Sequence, residues 1–218
     1  MKERALLLAM TAATGIAGSA SEVKGAGLED IATIVVIYAE NRSFDNLYGS
    51  FPGANGLSQV TPAGYTQLDR DGSVLKELPP VWDGLTAKGV VPPVTQAQTE
   101  HLPNAPFAID DPKGFNTPLS VTTHDLWHRF YQNQTQIDGG KNDRFVAYAD
   151  SGALVMGHYD DNGSKLPLWD VAKQYTLADN FFMGGFGGSF FNHFALIDRK
   201  STRLNSSHSA KSRMPSSA

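Results

Sequence analysis

Residues 31–49 read IATIVVIYAENRSFDNLYG. The first nine form a continuous apolar, β-branched run, the composition of a strand buried on both faces in a parallel sheet covered by helices. The run stops abruptly at Glu40-Asn41-Arg42-Ser43-Phe44-Asp45-Asn46. In open α/β sheets ligands gather beyond the carboxyl ends of strands, so a cluster this polar at such an end is a candidate site.

Outward from this stretch, strand and helix patterns alternate, which predicts an α/β architecture. Residues 51–120 hold ten of the twelve prolines and read as an extended excursion of short strands and turns inside the same domain. Residues 122–136 turn helical, with Leu126 and Phe130 spaced i, i+4 and Gly139-Gly140 closing the helix. Asn142 or Asp143 can cap a second short helix reaching Tyr148. Residues 168–174 read as a third helix, and residues 175–178 as a short strand ending in Asp179-Asn180.

The whole chain has 218 residues, 41% hydrophobic and 10% aromatic, enough for one core and too apolar for general disorder. Its two ends differ from the middle. Lys2 and Arg4 precede an apolar stretch over residues 5–18, and Gly18 and Ala20 offer small residues for cleavage, so residues 1–20 read as an export signal. The stretch is too short to span a bilayer, and no other segment could. Residues 198–218 (DRKSTRLNSSHSAKSRMPSSA) carry a net charge of +4 against −8 for residues 1–197, and show no periodicity. They read as a non-native or disordered tail. The acidic body lacks the broad basic surface that non-specific nucleic-acid binding needs. The absence of cysteine excludes disulfides and Cys-based zinc sites.

Three groups of residues can carry chemistry. Glu40 and Asn41 pair a carboxylate with an amide oxygen, both suited to a hard or borderline divalent cation; the bland alternative is a cap or turn. Met183-Gly184-Gly185-Phe186-Gly187-Gly188-Ser189-Phe190-Phe191-Asn192-His193 places four glycines before a serine. If Ser189 opens a helix, backbone N–H groups and the helix dipole face an anion such as phosphate and favour a serine nucleophile. His193 then lies on the same helix face. The alternative is a glycine turn before a buried helix. No Gly-Lys-[Ser/Thr] or Gly-x-Ser-x-Gly pattern accompanies it. His124 and His128, spaced i, i+4, can present two imidazoles on one face; the zinc-protease pattern is absent.

Taken together, IVVIYAENRSFDNLYG, HDLWHRFYQNQTQIDGGKNDRF and LADNFFMGGFGGSFFNH resemble the bacterial acid phosphatase and phospholipase C phosphoesterase family, across residues 30–197. The resemblance is greatest to the acid phosphatase branch, exported by Gram-negative bacteria, which implies a periplasmic or secreted protein. It implies an alkaline-phosphatase-like α/β/α sandwich. It further implies that Glu40 and Asn41 are ligands of a divalent metal ion and that Ser189, also metal-bound, is the nucleophile forming a phosphoserine. By the same resemblance His128 and His124 hold phosphate or protonate the leaving group, and His193 touches the phosphate where phospholipase-type members carry arginine. The implied substrates are small phosphate esters or a phospholipid head group. The family's remaining metal ligands are adjacent aspartates much further along the chain. Asp110-Asp111 and Asp160-Asp161 both precede the nucleophile segment and stand in the wrong order. Residues 21–197 are therefore expected to be the N-terminal part of a phosphoesterase domain, incomplete and inactive as written. Phospholipase C-type phosphodiester hydrolysis and a non-catalytic phosphate-binding protein are the alternatives.

Overall fold

The computed structural model describes residues 27–160 and 165–197. The expected export signal (residues 1–20) and the tail (residues 198–218) lie outside them. Two units are distinguished, Met1–Ile37 and Tyr38–Ala218.

Among the described residues of the first unit, a 3-10 turn, Leu28–Asp30, is closed by Asp30 N–H donating to the Gly27 carbonyl at 3.1 Å. The apolar run that follows forms no ladder among the described residues, and Ile34, Val35 and Ile37 are 79, 79 and 89% exposed. The expected buried strand over residues 31–39 is thus not present. β-branched composition favours a pleated surface, but a strand exists only where a neighbour exchanges backbone hydrogen bonds with it.

The second unit mixes helices with two small sheets, compatible with an α/β class. Its helices are α1 (Phe44–Tyr48), α2 (Pro62–Tyr65), α3 (Phe130–Ile137), α4 (Pro167–Gln174) and α5 (Ser189–Ile197). Strands β1 (Glu77–Leu78) and β2 (Leu102–Pro103) pair antiparallel, with Leu78 opposite Leu102. Strands β3 (Phe107–Ala108) and β4 (Gly157–His158) pair parallel, with Ala108 opposite His158. Among the described residues no helix is long and apolar enough to cross a membrane.

The proline-rich excursion supplies much of the core: Leu78, Val81, Leu85, Val94 and Ile109 are buried against Val146, Ala153, Tyr159 and Trp169. Short, proline-interrupted segments cannot satisfy their backbone through long ladders, so side chains do it instead. Val81 N–H donates to Thr99 Oγ1 at 2.8 Å, and Val94 N–H to Thr86 Oγ1 at 3.0 Å. Gln67 is a third such group, 3% exposed. Its Nε2 donates to the Asn142 carbonyl at 3.0 Å, while its Oε1 accepts from Phe145 N–H at 3.0 Å. That capture explains why the expected helix from Asn142 to Tyr148 is absent: the backbone there bonds outward, and Asn142 adopts φ 56°, outside helical space.

The helix expected over residues 168–174 is present as α4, started by Pro167 at its first position. It buries Trp169, whose Nε1 donates to the Leu47 carbonyl at 2.8 Å. The strand expected over residues 175–178 does not form. The segment is held instead by its end, where Asp179 Oδ2 accepts from Asn55 N–H at 2.8 Å.

Tyr159 is fully buried, with the Arg42 guanidinium 5.1 Å from its ring. Burial raises its phenol pKa above the ordinary 10.0, and the Arg42 charge opposes that rise. The unfolded chain then releases this proton more readily than the folded one. The stabilisation is complete below pH 10 and is lost as pH rises through the folded value. Urea midpoints are expected to fall above pH 10, and to fall less steeply in Tyr159→Phe.

Candidate active site

The polar cluster beyond the apolar run forms a turn and a capped helix. Asn41 takes a left-handed conformation, φ 67°, which asparagine tolerates better than most residues. Ser43 then caps α1, its Oγ accepting from Asn46 N–H at 3.1 Å. Asn46 ties this turn to β4: its Nδ2 donates to the Gly157 carbonyl, and Tyr159 N–H donates to its carbonyl, both at 2.8 Å. Arg42 Nη1 donates to Asn46 Oδ1 at 3.2 Å. Glu40 and Asn41 thus sit on a turn fixed from behind.

The glycine-rich segment leads directly into α5, and Ser189 is that helix's first residue, as its sequence predicts. His193, one turn later, places Nε2 3.4 Å from Glu40 Oε2. The Tyr38 ring meets the His193 ring edge-on at 4.2 Å, and Tyr38 O–H donates to Met183 Sδ at 2.9 Å. Residues about 150 apart in sequence are thereby joined around one carboxylate.

The histidine pair is a correction. Helix α3 begins only at Phe130, so His124 and His128 do not share a helix face. Residues 122–124 are held by the core excursion instead: Thr123 bridges Thr86, Ala87 N–H donates to the Thr122 carbonyl at 3.0 Å, and His124 N–H donates to the Leu85 carbonyl at 3.1 Å. Two adjacent threonines favour that extended pairing over a helix. His128 Nδ1 lies 2.7 Å from the Leu126 carbonyl. A carbonyl only accepts, so Nδ1 carries the hydrogen and Nε2 is left for other work.

These segments enclose a cavity of about 350 Å³ whose lining includes Glu40, Asn41, His124, His128, Ser189 and Asn192. Five of the six residues singled out from sequence therefore line it, and the sixth, His193, reaches it through Glu40. Asn192 was missed as a site residue. Its signal was a lone amide inside the apolar helix SFFNHFALI. His124 Nε2 and Asn192 Oδ1 are buried without a hydrogen-bond partner among the described residues, as are Asn133 Oδ1 and Ser151 Oγ, whose residues line the same cavity. Such groups mark a polar pocket that takes water or a polar ligand.

As cation ligands, Glu40, Asn41 and Ser189 offer oxygen donors of the right kind. They bring one negative charge, and among the described residues no group of three or more His, Asp or Glu side chains is arranged around a common point. The donors suit a divalent ion in type, and they are too few to hold one by themselves.

The Phosphoesterase family model matches residues 31–213, and the chain belongs to that family. Phospholipase C A of Mycobacterium tuberculosis (strain CDC 1551 / Oshkosh) is 28% identical over 162 residues, covering 71% of this chain and 25% of its own length. Phospholipase C A of strain ATCC 25618 / H37Rv matches to the same extent. The chain thus spans about a quarter of these curated relatives. No solved structure matches it significantly.

Proposed function

We propose that this chain carries the nucleophile-bearing part of an exported, metal-dependent acid phosphatase, periplasmic or secreted, within an alkaline-phosphatase-like α/β/α sandwich. The observation that carries this reading is the placing of Ser189, at the start of α5 behind a glycine loop, in one cavity with Glu40, Asn41, His124 and His128. Histidine at position 193, where the resemblance gives phospholipase-type members arginine, favours the phosphatase branch over the phospholipase one.

Ser189 gives its hydroxyl proton to water and its Oγ attacks phosphorus, the bond to the alcohol oxygen breaks, and a phosphoserine forms; water then attacks that phosphorus, the Ser189 Oγ–P bond breaks and phosphate leaves. The N-terminal N–H groups of α5 favour the anion. Protonated His128, with Nδ1 fixed on the Leu126 carbonyl, offers its Nε2 proton to the leaving alcohol. Glu40, Asn41 and Ser189 would hold the divalent ion, which stabilises charge on the phosphoryl oxygens when bound. These three bring one carboxylate, which leaves part of a divalent ion's charge uncompensated, so turnover is expected to be slow.

The names of the relatives favour a second reading, phosphodiester hydrolysis at a phospholipid head group. Hydrolysis of p-nitrophenyl phosphate beside p-nitrophenylphosphorylcholine, with Mn²⁺ and after chelation, separates the readings. A phosphatase is expected to prefer the monoester at least about tenfold, a preference of about 1.4 kcal/mol, and to lose activity with the metal. Equal or faster cleavage of the choline ester moves the assignment to the phospholipase branch. Phosphate binding without turnover of either leaves a binding protein.

A further inference from the structure

We propose that Asn192 is the positioning residue of the nucleophile: its side-chain amide sets the peptide planes that lead into Ser189. This rests on Ser189 being the nucleophile. Asn192 is 5% exposed, in the first turn of α5. Its Nδ2 donates to the carbonyls of Gly185, Gly187 and Gly188, each at 3.3 Å. Two amide hydrogens are shared among three acceptors, which leaves no doubt over the orientation of the group, since Oδ1 facing three carbonyl oxygens would be repelled.

The Gly188 carbonyl is held twice, by Asn192 Nδ2 and by the Asn192 backbone N–H, each at 3.3 Å, and the side chain extends that hold to the Gly185 and Gly187 carbonyls. The Gly188 carbonyl belongs to the same planar unit as the Ser189 N–H, and in a trans peptide the two point in opposite directions. Fixing the one on Asn192 therefore aims the other away from it. Four glycines in five residues would otherwise leave this segment many conformations, because glycine gives up more backbone freedom on ordering than any other residue. Gly185 also lies close to α5: a Cβ there would lie 2.5 Å from the Phe191 ring, which would have to shift to admit it. Asn192 Oδ1, turned away from the carbonyls, is among the buried atoms without a partner, and its residue lines the cavity.

The test uses the full 218-residue chain with Mn²⁺ and inorganic phosphate. The reaction read is a half-reaction in which Ser189 Oγ bonds to phosphorus, a P–O bond breaks and water leaves. Initial rates of phosphoserine formation come from acid-quenched mass spectrometry, and phosphate affinity from calorimetry. Asn192→Leu keeps the approximate volume, removes the donor and adds no charge; it is expected to lose about 100-fold in rate, with a much smaller loss of phosphate affinity. Asn192→Ser keeps one hydroxyl donor and should lie between them. Rates within threefold of wild type in Asn192→Leu would overturn the proposal, as would equal losses of rate and affinity in both variants, the mark of a merely structural role. Phosphoserine absent from the wild type, or found at another residue, removes the nucleophile and the proposal together.

Discussion

Ser189→Ala is expected to lower phosphomonoester hydrolysis about a hundredfold or more, with p-nitrophenyl phosphate as substrate. The side chain is small, half-buried and at the first position of α5, so its loss creates no sizeable cavity and leaves the helix start intact. The cost therefore falls on chemistry and not on folding, and thermal unfolding should be nearly unchanged. What is lost is the covalent route, because the cavity's other side chains include no second hydroxyl with the same position behind the glycine loop. Residual activity above a hundredth of wild type would mean that water, or another group, attacks phosphorus directly.

Gly84→Ala should give the largest loss of stability, about 4 kcal/mol, in the range where a single change threatens a domain worth 5–15 kcal/mol. Gly84 has φ 88°, a region closed to most residues, and a Cβ there would be driven into the carbonyl oxygen of Val94. Val94 cannot retreat freely, since its N–H is bonded to Thr86 Oγ1 and its side chain is buried with Val81 and Leu85. Gly89→Ala is the control. It shares a positive φ, 84°, but a Cβ there meets nothing within 4 Å, so only backbone strain of about 1 kcal/mol is expected. Urea unfolding of both variants separates the clash from the strain. Similar losses in the two would show that Val94 moves aside.

These two residues mark what could be read from sequence and what could not. Ser189 was legible because four glycines followed by a helix pattern is a local signal, and α5 begins where that pattern does. α4 was legible too, read over residues 168–174 and observed over Pro167–Gln174. The core contributed by the proline-rich excursion was not. Leu78, Val81, Leu85 and Val94 follow neither a period of 2 nor one of 3.6, because their places are set by distant side chains such as Thr99 and Thr86. The histidine pair failed similarly: i, i+4 spacing is necessary for a shared helix face, but pairing of residues 122–124 with residues 85–87 decides the backbone. The run over residues 31–39 carries the composition of a buried strand and lacks, among the described residues, the neighbours that would make it one. The cavity that Glu40 and Ser189 both line brings together segments far apart in the chain, and only the family resemblance pointed to it.

The central claim is that Ser189 accepts the phosphoryl group, and peptide mapping of acid-quenched protein tests it most directly. After incubation with p-nitrophenyl phosphate and Mn²⁺, covalent phosphate is expected on Ser189, and Ser189→Ala should carry none. Product release with no phosphate on Ser189, or phosphate on another side chain, would contradict it.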